Sequence, residues 1–451
     1  MADTAVSAVE RALENQRIGS LQIRVVVLCL LVQICDGYDV NSIAWAVPSL
    51  IKAWGLPPPA FTQAFLWSSI GIMVGALSAG PIGDRIGRKP LLLISLTIFG
   101  VASLLSATAG SLDALKLWRF FTGLGIGGGF AGAASLTGDY TPARRRAMMI
   151  MVSFTGAPIG GFLGGQIVAL LLPYFGWPMI FILGGAIPLV LVPALMLWLP
   201  ESPRFLAAKQ NLGRHHAAVL QRLDISPAES GSHAVDVARE HPVKTLFGVV
   251  LFGKGYALQT VLLWIIYFCS LMNLFLFAYW MPTVLTMIGF TPPQAVFASS
   301  MRDFGAIFAV LYLGWAIDRV GPERSLAFHY AIGAVFIGLI ALFALPYAAL
   351  LLITFFAGMT IIGSQTGLNA TCGKLYPARM RTTGLGWALG IGRLGGIAAP
   401  VLGGYLLSLG MPPTHIFLSA CIFALIAAAA TGLLALRVPR AERLTVREVA
   451  S

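Results

Sequence analysis

Stretches of about 20 apolar residues recur along almost the whole of this 451-residue chain. A run of that length crosses a hydrocarbon layer of roughly 30 Å as a single helix. Twelve such runs can be placed, near 23–48, 62–82, 90–110, 113–138, 148–172, 177–199, 258–286, 292–317, 325–345, 347–370, 382–408 and 414–437, with Pro346 marking where 325–370 divides. Barrel strands are excluded, because they need only about 10 residues and alternate in polarity. Charged residues make up 11% of the chain, too few to cover a soluble surface, where about 25% is usual. Most of its 50 glycines lie inside apolar runs without a period, which suits close helix packing in lipid. The expected fold is an all-α membrane protein with twelve transmembrane helices in two six-helix halves. Its parts are an N-terminal segment (1–22), a first half (23–199), a central loop (200–257), a second half (258–437) and a tail (438–451).

The formal net charge of +12 would suggest a nucleic-acid partner in a soluble protein, but the placement of the charge removes that reading. Basic residues gather at the termini and after even-numbered runs: Arg85, Arg88 and Lys89; Arg144 to Arg146; the central loop; Arg319 and Arg324; Lys374, Arg379 and Arg381. Connections after odd-numbered runs hold only Lys52, with Lys116 at the very start of the fourth run. By the positive-inside rule both termini are cytoplasmic. The residues before Leu21 include Glu10, Arg11, Glu14 and Arg17 and lack the apolar core of a secretory signal, so a short cytoplasmic amphipathic helix is expected there. Cys29, Cys35, Cys269, Cys372 and Cys421 lie in apolar stretches without CxxC spacing and read as small buried hydrophobes. His215, His216, His233 and His241 are scattered through the polar stretch from Pro200 to Tyr256, so no metal site is expected.

The two halves repeat. Gly80-x-x-x-Asp84-Arg85-x-Gly87 returns 234 residues later as Gly314-x-x-x-Asp318-Arg319-x-Gly321. Tyr140-Thr-Pro142-Ala143-Arg144 returns as Tyr376-Pro377-Ala378-Arg379. Halves of one topology imply parallel repeats about an axis along the membrane normal, with a substrate site between them near the midplane.

The segment from Gly80 through Pro81-Ile82-Gly83-Asp84-Arg85-Ile86-Gly87-Arg88-Lys89-Pro90 resembles the cytoplasmic signature of the major facilitator superfamily. The likeness extends over the whole chain through span count, central loop and the weaker second copy. Physically, Gly80 would let a neighbouring helix approach, and Asp84 would accept hydrogen bonds from a helix N-terminus in the same half. Arg88 would join a breakable charge network, and Asp318 would repeat it in the second half. The plainer alternative is a solvated turn that fixes topology.

Asp36-Gly37-Tyr38-Asp39 puts two carboxylates on one face of the first run, well inside the span. A carboxylate there costs several kcal/mol unless it is paired or protonated. It is therefore a proton carrier or the partner of an arginine on another helix. This Asp-Gly-aromatic-Asp pattern, with Pro200-Glu201-Ser202-Pro203-Arg204-Phe205-Leu206, resembles the aromatic acid:proton symporters of that superfamily. The resemblance implies a bacterial inner-membrane importer of benzoate-type or hydroxybenzoate-type acids. It would be driven by the proton gradient and need no cofactor, and a monomer is expected.

Arg119 opens Arg119-Phe-Phe-Thr-Gly123-Leu-Gly-Ile-Gly127, about 9 Å into the fourth run. The resemblance gives it a part in proton coupling with Asp36 and Asp39, and the Gly123 and Gly127 spacing allows tight packing. Arg393 stands alone among glycines and aliphatic residues and needs an anion. A substrate carboxylate would fit its fork, as would Asp36, Asp39 or Asp303 at rest. Asp139 matches an acidic position in the family and reads as inner gate or as interfacial charge. Arg302-Asp303 does not belong to the family pattern. Neighbours on a helix diverge by about 100°, so the two are expected not to pair, with one lining the cavity. Tyr38 is a candidate stacking surface for an aromatic substrate, and Asn273, Gln365 and Asn369 are candidates to hydrogen-bond ring hydroxyls.

A sugar porter shares Pro-Glu-Ser-Pro-Arg and Gly-Tyr-Asp with this chain, but the seventh run lacks that family's paired glutamines. A drug antiporter fits less well, since the fifth run has Ala157-Pro158-Ile-Gly160-Gly161 in place of Gly-Pro-x-x-Gly-Gly. A receptor would lack any signalling domain here. An enzyme is not expected, because no nucleophile elbow, ligand-spaced metal site or phosphate loop occurs.

Overall fold

The computed structural model describes residues 18–208, 256–376 and 378–437, all helix and connecting turns without a strand among them. The helices are α1 (Ser20–Trp54), α2 (Thr62–Ile86), α3 (Arg88–Ala107), α4 (Leu112–Tyr140), α5 (Arg146–Phe154), α6 (Gly156–Phe175), α7 (Pro178–Trp198) and the short α8 (Pro203–Ala208). After the central stretch come α9 (Ala257–Met287), α10 (Pro292–Val320), α11 (Pro322–Leu342), α12 (Tyr347–Leu375), α13 (Ala378–Ser408) and α14 (His415–Arg437). The expected N-terminal amphipathic helix (residues 1–17), the four central-loop histidines and the tail from 438 lie outside the described residues.

Among the described residues, ten spans are long and apolar enough to cross a membrane. Two further helices, α4 and α10, have 29 residues each. Glycine dilutes the apolarity of α4, and two side chains midway along α10, at 310 and 311, lie outside the described residues, so neither helix is among those ten. The fifth apolar run is broken at Thr155, because Pro158 has no N–H for the carbonyl of Phe154 and its ring crowds that position. Phe343, in extended backbone, ends α11 ahead of Pro346, so the 325–370 run divides where proline marks it.

The chain forms two compact units, Met1–Ser49 with Gln63–Val243, and Leu50–Thr62 with Lys244–Ser451. Within the first, α4 is the glycine-faced centre. A Cβ at Gly123 would overlap the carbonyl of Ser68 in α2, and one at Gly127 that of Ile72. On another face, Gly125 and Gly128 press against Ser95 of α3. Helix α1 meets α6 the same way, Gly37 on the carbonyl of Ala157 and Gly160 on that of Ile34. In the second unit, Gly305 of α10 meets the Phe355 carbonyl of α12, Gly358 meets that of Arg302, and Gly395 of α13 meets that of Phe268 in α9. Gly71 and Gly305 stand at the repeat offset of 234, so the repeat continues from the loops into the helix crossings. Lipid tails are as apolar as leucine, so helices associate through such close van der Waals contact rather than through a hydrophobic gain.

Gly160→Val should therefore lower the midpoint of thermal unfolding in detergent, by the equivalent of about 1–3 kcal/mol at least. An unchanged midpoint would show that the α1–α6 seam opens freely. The thiols of Cys29, Cys35 and Cys269 are free and buried and that of Cys421 is partly exposed, as small apolar side chains would be.

Candidate functional site

Asp39 of α1 and Arg119 of α4 form a buried ion pair with Nη2 2.5 Å from Oδ2, both side chains sealed from solvent. Arg119 Nη1 donates to Ser42 Oγ at 2.8 Å, and Ser42 in turn donates to the Asp39 carbonyl at 2.8 Å. Ser103 of α3 donates to Asp39 Oδ1 at 3.1 Å, and the guanidinium lies 5.2 Å from the centre of the Phe181 ring of α7. Four helices thus close on one charge pair. Gly184 makes room, since a Cβ there would come within 3.1 Å of Asp39 Oδ1 and of the Tyr38 ring.

Asp36, one turn earlier, is equally buried, yet neither carboxylate oxygen has a hydrogen-bond partner. The two carboxylates that share a helix face therefore occupy different electrostatic settings. Tyr38 was the candidate stacking surface, but its ring is enclosed between Gly164 and Gly184, edge-on to Trp45, and its hydroxyl donates to the Ile180 carbonyl at 2.8 Å. That ring is a packing element of the first unit.

The loop signature departs from expectation at two residues. Among the described residues, no atom outside the backbone of its own helix lies within 4 Å of where a Cβ on Gly80 would stand. The glycines that matter are Gly83, tight against the Arg88 side chain, and Gly87, whose φ of 105° and contact with the Glu201 carboxylate both exclude a side chain. Among the described residues, Asp84 caps no helix. Its carboxylate, two-thirds exposed, takes the Arg88 guanidinium at 2.5 Å. Glu201 does the capping instead: its Oε1 accepts from the N–H groups of Arg88 (2.8 Å) and Lys89 (3.0 Å), at the positive end of α3, and from that of Ser202 (2.8 Å). Tyr140 donates to the Glu201 carbonyl at 2.5 Å. Asp139 accepts from Ser202 Oγ at 2.7 Å and lies 3.7 Å from Arg204 Nε, which ties the end of α4 to α8. The side chain of Asp318 lies outside the described residues.

In the second unit, Arg302 and Asp303 do pair, contrary to the expectation from helix geometry: Nη2 reaches both carboxylate oxygens at 3.0 Å. The Cβ directions diverge, but a long arginine side chain curls back across that angle. A chain of hydrogen bonds runs from the Tyr330 hydroxyl to Ser270 Oγ (2.8 Å) and on to Gln365 Oε1 (2.6 Å). Gln365 Nε2 and the Tyr267 hydroxyl both donate to Asn369 Oδ1, at 3.4 and 3.0 Å. Asn369 itself is exposed. Asn273, fully buried, has no hydrogen-bond partner at either side-chain atom. Arg393 of α13 is half-buried and pairs with no described carboxylate. Beside it, Gly392 lies against Tyr267.

The structure thus joins Asp39 to Arg119, Arg302 to Asp303 and Gln365 to Asn369. Asp36, Asn273 and Arg393 remain outside these pairs. Ser42, Ser103, Glu201, Ser270 and Tyr330 are participants that sequence reasoning did not single out. Only Ser42, one turn from Asp39, carries a local signal.

The profile of the Major Facilitator Superfamily matches residues 29–399 and 263–451. The chain is 35% identical to the 4-hydroxybenzoate transporter PcaK of Pseudomonas putida, over 89% of this chain and 90% of that one. It is 36% identical to the gallate transporter of Pseudomonas putida, over 88% of each. The benzoate transport protein of Acinetobacter baylyi is 28% identical, over 92% of this chain and 90% of that one. A crystal structure of the D-xylose-proton symporter superposes with a TM-score of 0.70 at 18% identity, covering 93% of this chain and 98% of that one, which is a likeness of fold.

Proposed function

Because the chain belongs to the Major Facilitator Superfamily, we propose that it is a secondary transporter importing an aromatic carboxylic acid with protons across a bacterial inner membrane. The acid is of the benzoate or hydroxybenzoate class, in line with the relatives of known name. In this reading α4 and α10 complete twelve membrane spans, both termini are cytoplasmic, and the protein works as a monomer. The energy comes from the proton gradient, without a cofactor.

One observation carries the coupling: a buried carboxylate with no partner, Asp36, one turn from a buried carboxylate held by a guanidinium, Asp39. An ionised carboxylate without hydrogen bonds in such a place is several kcal/mol less stable than in water. Taking up a proton removes that penalty, so Asp36 is the carrier. Asp39 and Arg119 form the breakable pair that responds to it. The substrate carboxylate meets Arg393, which has no described carboxylate of its own, and the amides of Asn273, Gln365 and Asn369 meet ring hydroxyls. Transport proceeds by alternating access, with the Asp84–Arg88 and Asp139–Ser202 contacts breaking and reforming at the inner end, joined by Asp318.

The test is uptake by the purified protein in liposomes, using labelled 4-hydroxybenzoate, gallate, benzoate and glucose with and without a pH gradient. A difference of one pH unit is worth about 1.4 kcal/mol, so one-proton symport of an anion should accumulate it about tenfold. Equal uptake without the gradient would reject proton coupling. Glucose uptake without acid uptake would reject the substrate class.

A further inference from the structure

Polar side chains that the ion pair does not use lie on the same face of α1 as Asp36. Cys29, Gln33 and Asp36 are four and three residues apart, hence stacked along the helix toward its start. Gln33 is fully buried, and neither its Nε2 nor its Oε1 has a hydrogen-bond partner; the same holds for both oxygens of Asp36. Opposite them α4 offers little volume. The Asp36 carboxylate lies over Gly129, its oxygens 3.7 and 3.8 Å from where a Cβ there would stand. Ala133 follows one turn on, and then the buried Thr137, which lies beside the Cys29 thiol. From a third side, Gly156 of α6 touches the Gln33 Cβ. Ser153, three residues before it on α5, is fully buried with its hydroxyl unbonded. Leu96 and Leu92 of α3 lie beside Gly129 and Gly132.

Each unsatisfied buried polar atom costs about 1–3 kcal/mol, and proteins commonly meet such groups with internal water that finds two to four polar partners. Here an amide and a carboxyl group share the face of α1 that meets Gly129 of α4, the Thr137 hydroxyl lies further along α4 beside Cys29, and the Ser153 hydroxyl lies one turn before the Gly156 contact with Gln33. We propose that Gln33, Ser153 and Thr137 hold a short file of internal water below Asp36, and that Asp36 exchanges its proton through this file with the side on which α1 begins. The segment from Asp36 to Cys29 is about 10 Å long, a span of a few waters at hydrogen-bond spacing. In release, the Asp36 O–H bond breaks toward the first water, which passes one of its own protons onward. Asp36 is left as carboxylate, and one proton emerges near Asp139 and Arg204. Gln33 neither gains nor loses a proton; it is a positioning residue that orients water through Nε2–H and Oε1. Other charged groups near the route are Asp39, already held by Arg119, and Arg146, whose side chain lies against Gly138.

The inference rests on the symport reading, and the test separates the two. Gln33→Leu and, independently, the near-isosteric Thr137→Val are placed in liposomes and assayed in two modes. Gradient-driven uptake of 4-hydroxybenzoate needs net proton release, whereas exchange of labelled for unlabelled 4-hydroxybenzoate does not. Uptake should fall about tenfold in Gln33→Leu while exchange stays within about twofold, and Gln33→Asn should recover part of the loss. Equal losses in both modes for both variants would make these residues packing elements and overturn the route, as would no loss in either mode. Wild-type protein that exchanges 4-hydroxybenzoate but ignores the gradient would remove the symport reading, and the route with it.

Discussion

Asp36→Asn should abolish accumulation against a gradient, by about 100-fold or more, while the protein stays folded and continues to exchange substrate. Asparagine has nearly the shape of aspartic acid and no proton to give up, and Asp36 makes no hydrogen bond that the change would break. Asp39→Asn should behave differently. It leaves Arg119 buried with its carboxylate partner gone, and removing one member of a buried pair costs about 3–5 kcal/mol. That variant should lose stability as well as transport, and Asp39→Asn with Arg119→Gln should recover the stability and not the coupling. Thermal unfolding in detergent, run beside uptake and exchange in liposomes, distinguishes the two carboxylates. Normal accumulation by Asp36→Asn would end its role as carrier.

Arg393→Ala should weaken binding of aromatic acids about 30-fold to 100-fold, the scale of one charge-assisted hydrogen-bonded contact, about 2–3 kcal/mol. Binding of the corresponding amides, such as benzamide against benzoate, should change little. Arg393→Lys should not restore the acid, because an ammonium cannot reproduce the two-pronged fork. Titration calorimetry on the purified protein reads both ligands. Equal losses for acid and amide would show that Arg393 supports the fold rather than the carboxylate.

Much of the fold was legible because membrane spans announce themselves by length and apolarity, and because glycine in such spans means close approach. The limits were local. Helix α4 is apolar in character but glycine-rich, so it stands out less by hydropathy than its neighbours. At the site, Asp39 and Arg119 were nameable as charges stranded in apolar runs. Which of two nearby carboxylates would take the arginine was not, since that depends on where α3, α4 and α7 place Ser103, Arg119 and Phe181. Arg302 and Asp303 were misjudged because backbone direction was used for a side chain long enough to fold back. Glu201 was quoted only as part of a motif. Its partners at Arg88 and Lys89 lie more than a hundred positions away, and no pattern within a helix could reveal them.

That contact has a practical corollary. The carboxylate that finishes the start of α3 comes from just beyond α7, so the residues that follow the last long helix of the first unit clasp its middle. A polypeptide ending at Trp198 would keep every long helix of that unit yet leave the opening amides of α3 bare, whereas one ending at Ala208 would carry its own clasp. For anyone producing this part of the protein alone, the sensible stopping point lies ten residues after the membrane helices end.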